Sequence, residues 1–207
     1  MILRSLKTFA AGLVSGFLLG LGVKLLLPGV YLYFLSLLER KISAQTAAIG
    51  SYSMAILLNN FLASFLCSYG GYFTTRAFLL LKTPSSPFLK KLSLLDKRVH
   101  ALRGEELKYY LSLYTLPFFV LCFNGFVLGF IFALYYSAPG EYLSGIMPHG
   151  LFEFAAILLA GSIGYTIAEA VFHSDFEAEL RLRAASEIPR FLAVLGLIAV
   201  GAYLEAS

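Results

Sequence analysis

Charge is scarce in this chain. Of its 207 residues, 14% are Asp, Glu, Lys or Arg, where a soluble domain carries about 25%. That deficit excludes a soluble globular enzyme, a solvated disordered tail and a nucleic-acid module. Tryptophan is absent, and cysteine occurs only as Cys67 and Cys122. Two isolated cysteines in apolar stretches make no metal-type spacing and behave as small hydrophobes. No nucleophile motif, phosphate-cradling loop or H-E-x-x-H element is present. His149 to Glu153 has zinc-protease spacing at its ends but the wrong residues. The chain is therefore expected to be no enzyme and to carry no metal or cofactor.

What the chain has in excess is apolar surface. Hydrophobic residues make up 59%, with 18 glycines besides. A surplus of this size needs lipid as its solvent. Five runs are long and apolar enough to cross about 30 Å of hydrocarbon at about 1.5 Å per residue. They cover about 8–28, 53–76, 111–137, 150–170 and 188–205, the last two being the shortest. The expected fold is an all-α polytopic membrane bundle forming one domain over 1–207. The first run has a basic flank, Arg4 and Lys7, like a signal peptide. Its apolar part is too long for one and no A-x-A site follows, so it reads as a retained membrane helix.

Between the first two spans, Leu32, Leu35, Leu38 and Ile42 recur at helical spacing. The pattern over 31–42 suits a short amphipathic helix in the membrane interface. A continuation of the first helix past Pro28 is the alternative reading. The only sizeable polar segment is the basic loop 82–108, within which Phe88 to Arg103 reads as a basic helix.

Orientation follows from the cations. With the N-terminus inside, twelve Lys and Arg lie on the inner side, and only Arg40 and Lys41 lie outside. Lys24 and Arg76 sit near span ends, where long stems snorkel. This asymmetry predicts a cell-membrane protein with a cytoplasmic N-terminus and an external C-terminus.

Gly12, Gly16 and Gly20 repeat at four-residue spacing in the first span; Gly125 and Gly129 do so in the third, and Gly161 lies in a small-residue patch of the fourth. Such faces let backbones approach closely, either inside one bundle or at a homodimer seam. Intramembrane polar groups are few: Asn59, Asn60, Asn124, His149, Glu153, Glu169 and, at the rim, Glu205. Counting rise from the span ends puts Asn59 and Asn60 about 10 Å below the outer surface and Glu153 about 6–8 Å below it. His149 and Glu153 are four apart and share a helical face behind Pro148. The cluster reads as a polar clasp between helices, as a proton or ion path, or, with too few ligands for a usual zinc set, as a metal site. Glu169 and His173 form a second i, i+4 pair, read as part of a solvated inner loop with Asp175, Glu177, Glu179, Arg181 and Arg183.

At these residues the chain resembles the stage II sporulation protein M family. Pro148 to Gly161 is similar to its PHG-x-x-E-x-x-A-x-x-x-A-G signature, Asn124 to Gly129 to its NGxxLG element, Asn59-Asn60 to its NN pair, and Ala202 to Ala206 to its acidic ending. The NN and NG elements stand farther apart than in that family's pattern, and the basic 82–108 loop accounts for much of the difference. The resemblance implies a five-helix integral membrane protein of a divergent branch. It also implies a scaffold that anchors or recruits membrane or envelope proteins, the bilayer being its other partner. A small transporter or channel using the outer polar cluster is the rival expectation.

Overall fold

A computed structural model describes residues 1–49, 52–81, 105–133, 140 and 149–206. Every regular element among them is helical, with no strand. The basic segment 82–104, including the helix expected over 88–103, lies outside the described residues, as do 134–137 at the end of the third expected span.

Helix α1 (Ile2–Leu26) gives way at Leu27, where φ −138° and ψ 62° leave the helical region, and α2 (Pro28–Ile49) follows at once. A proline disfavours helical geometry in the residue before it, yet suits the first position of a new helix. The segment around 31–42 is thus a separate helix, longer than its apolar spacing indicates. It is anchored to the bundle: Tyr31 is buried and its hydroxyl donates to the Phe130 carbonyl at 2.9 Å. Phe34 packs on the Phe130 ring at 4.7 Å.

The second span comprises α3 (Tyr52–Phe65), a π-helical turn (Leu66–Gly70) and α4 (Gly71–Leu81). It runs five residues past the boundary at 76. A π turn leaves carbonyls outside the regular ladder; here the Ser68 hydroxyl donates to the Ser64 carbonyl at 2.7 Å. The third span, α5 (Glu105–Phe132), begins inside the stretch expected as loop, and buried Lys108 belongs to it. Pro117 interrupts its ladder. The π turn, Pro117 and Gly164 meet: a β-carbon on Gly164 would fall inside the Cys67 carbonyl oxygen's radius and 3.1 Å from the Pro117 side chain.

Helix α6 (His149–Ala168) is the most buried of the long helices, and past Glu153 it is apolar on nearly every side, as a buried helix is. A 3₁₀ turn (Glu169–Phe172) ends it. The stretch expected as a polar loop then forms α7 (Phe176–Ser186), started by Asp175, whose carboxylate accepts the Ala178 N–H at 3.3 Å. The last helix, α8 (Ile188–Ala206), packs mainly on α6. Among the described residues four helices are long and apolar enough to cross a membrane, and five if α7 and α8, bent by 40°, count as one span.

The glycine faces are used inside the chain. β-carbons on Gly12 and Gly16 would overlap the carbonyls of Cys122 and Phe126; on Gly125 and Gly129, those of Phe9 and Leu13. Gly20 faces Ala133 and Phe130. This α1–α5 seam is backbone against backbone, so these glycines are not available as a dimer face. Gly161 makes room for Leu121. Outward positions such as Leu18, Leu26, Phe119, Leu151 and Leu192 carry large exposed apolar side chains, as lipid-facing surfaces do.

Candidate functional site: a polar pocket between the helices

Asn60, Asn124, His149 and Glu153 line one pocket of about 210 Å³, with Phe9 from α1 and Ile198 from α8 among its apolar walls. Asn60 Nδ2 donates to Glu153 Oε1 at 2.6 Å, tying α3 to α6. The His149–Glu153 spacing puts both residues on the pocket side at the start of α6. Asn124 Nδ2 donates to the Val120 carbonyl of its own turn at 2.8 Å, and among the described residues no hydrogen bond reaches its amide oxygen. Four of the residues that the sequence groups by depth thus line one pocket.

Of the other two, one is placed away from the pocket and one lies outside the described residues. Asn59 is exposed and lines no part of the pocket. Consecutive helical residues point about 100° apart, so a helix that turns Asn60 inward turns Asn59 away. Glu205 lies in the last turn of α8, and its side chain is outside the described residues. The structure adds Ser64 to the pocket wall and brings Gly201 against the site. A β-carbon on Gly201 would lie 3.2 Å from Glu153 Cγ and 3.5 Å from the His149 carbonyl. Ser64 lies one turn after Asn60 and shares its face, which the sequence spacing could have shown, whereas no small-residue spacing marks Gly201.

The opposite end of the bundle holds a second polar group. Glu169 and His173 do not pair. Glu169 turns into the bundle, accepts the Tyr114 hydroxyl at 2.8 Å and stands 4.0 Å from Arg4. His173 Nε2 lies 2.9 Å from Arg183 and 3.8 Å from Glu179. The 3₁₀ turn after Ala168 removes the i, i+4 register that the pairing needs. Arg190 is likewise no lone charge: it binds buried Glu187 at 2.7 Å and donates to Ser162 at 2.8 Å, fixing the start of α8 to α6. Arg76 reaches Glu177 at 3.8 Å. Lys24, at the far end, donates to the Ala133 carbonyl at 3.0 Å.

Chemically, the pocket offers a carboxylate, an imidazole, two amides and a hydroxyl. Among the described residues no three His, Cys, Asp or Glu side chains gather as a metal-ligand set. No curated protein and no solved structure matches the chain. The family model described as stage II sporulation protein M matches residues 5–207. With nearly the whole chain matched, and with a membrane-type helical bundle that joins Asn60, Asn124, His149 and Glu153, the chain belongs to the stage II sporulation protein M family.

Proposed function

We propose that this protein is a multi-pass membrane scaffold that anchors or recruits other proteins in envelope or membrane remodelling. The observation that carries the reading is the Asn60–Glu153 bond. It spends the intramembrane carboxylate on holding two spans together, as a structural clasp does. The backbone-tight α1–α5 seam adds to the support, since a scaffold needs a rigid frame and no moving gate. The role is non-catalytic, and the N-terminus faces the cytoplasm with the C-terminus outside. Crosslinking in the native host followed by pull-down in mild detergent tests the proposal. Reproducible membrane or envelope partners are expected, and none across repeated preparations would overturn it.

A second reading, a proton or ion transporter, is favoured by the pocket itself, because intramembrane ionisable groups beside a cavity are a common transport device. Proteoliposomes loaded with a pH-sensitive dye separate the two. A proton or cation flux abolished by Glu153→Gln would establish transport, and no flux above empty vesicles would remove it.

A further inference from the structure

At the N-terminal end of α1, Arg4 stands in a pocket of about 330 Å³. Its guanidinium carbon lies 4.5 Å from the centre of the Tyr114 ring and 4.7 Å from that of Tyr165. Two aromatic faces therefore hold the cation in place. Among the described residues its acidic neighbour is Glu169, at a long 4.0 Å, whose carboxylate also accepts the Tyr114 hydroxyl. Among the described residues the Arg4 guanidinium makes no hydrogen bond, although it has five N–H donors. A fixed guanidinium fork with unused donors suits a phosphate.

The surroundings of the pocket indicate where that phosphate comes from. Thr115 contributes to the wall, and Phe118 and Phe119, 49% and 62% exposed, stand at its membrane side. Phe118 lies one turn beyond Tyr114 on α5, about 6 Å farther toward the middle of the span. A charged group at the membrane boundary continued inward by exposed apolar rings matches a phospholipid, headgroup first and chains after. A free anion in water needs no such apolar extension. Basic pockets between membrane helices are known to take acidic headgroups.

We propose that Arg4, between Tyr114 and Tyr165, binds the phosphate of an anionic phospholipid whose chains run along Phe118 and Phe119. The site is independent of the scaffold role and of which way the chain sits across the bilayer.

Native mass spectrometry of the full chain, released from detergent with equal amounts of phosphatidylglycerol and phosphatidylcholine, reads the preference directly. One basic residue near the surface corresponds to about a fivefold excess of the anionic lipid. Wild type should show it, Arg4→Gln should fall to near parity, and Lys7→Gln, which removes an exposed charge one turn away, should keep it. Thr115→Phe, filling the pocket without changing charge, should reduce retention; it also decides the matter if Arg4→Gln does not fold. Parity in the wild type, or equal losses in Arg4→Gln and Lys7→Gln, would overturn the proposal. So would millimolar inorganic phosphate displacing the lipid and remaining bound in its place, which would assign the pocket to a soluble anion.

Discussion

Glu153 is the residue on which the polar pocket turns. An ionised carboxylate at that depth is costly, and a neutral one accepts the Asn60 amide as well as a glutamine would. Glu153→Gln is therefore expected to melt close to wild type in detergent, followed by circular dichroism. Glu153→Ala strands the Asn60 donor and should lower stability by about 1–3 kcal/mol. A double-mutant cycle of Asn60→Ala with Glu153→Ala should return a coupling of about 0.6 kcal/mol, and no more than about 1.7 kcal/mol. Equal losses from Gln and Ala would mean that the charge itself holds the helices. Asn59→Ala, one residue from Asn60 but exposed, should change the melt by less than about 0.5 kcal/mol. These residues also mark how far the sequence could be read. Depth along a span follows from counting residues, which sets Asn60 and Glu153 near one level. Which of two adjacent asparagines turns inward depends on the rotation of α3 about its axis, which only its neighbours set.

Among the elements, α1 and α5 provide the sharpest test. Gly16 and Gly22 lie on the same helix, yet a β-carbon at Gly16 meets the Phe126 carbonyl and one at Gly22 meets nothing within 4 Å. Gly16→Val should force the two helices apart and cost about 1–3 kcal/mol, and more if the seam cannot shift. Gly22→Ala should be neutral or gain up to about 1 kcal/mol, because alanine is the better helix former. Thermal melts of both variants in one detergent check the contrast, and similar losses would mean that the seam is not the tight contact described. The four-residue glycine spacing was visible in the sequence, but its partner was not. Two faces of matching spacing can close within a chain or between copies, and packing chose the former here. The helix Phe176–Ser186 escaped sequence reading for another reason. Its buried edge is narrow, Leu180 and Ala184, and the charged residues between, such as Arg183 bonded to Glu179 at 2.6 Å, masked the short apolar spacing.

At the scale of the molecule, the cations separate by end. Arg4, Arg76, Arg183 and Arg190 are drawn into contacts with Glu169, the α7 carboxylates and Glu187 around the N-terminal end of α1. Lys24 sits at the other end, on the α5 carbonyl terminus. This separation, with the positive-inside bias, is the ground for the proposed orientation. A cysteine introduced at Ser86 is expected to react with a membrane-impermeant maleimide only after the cytoplasmic face is opened. One at Ser144 should react in intact cells. The reverse pattern would invert the proposed orientation. Buried Cys67 contributes no background to this assay.

Sequence alone determined that this chain is a membrane-type helical protein, because apolar length and missing charge are properties of composition and spacing that no packing can alter. It also determined the family, whose model matches residues 5–207. Tertiary structure decided everything that depends on rotation and neighbours. It turned Asn60 toward Glu153 and Asn59 away, spent the glycines of α1 on α5, and pulled Glu169 from His173 to Tyr114. It also set Arg4 between two tyrosine rings separated from it by more than a hundred positions in the chain. Such contacts join residues far apart in sequence, and a helical pattern records which residues share a face but not what that face will meet.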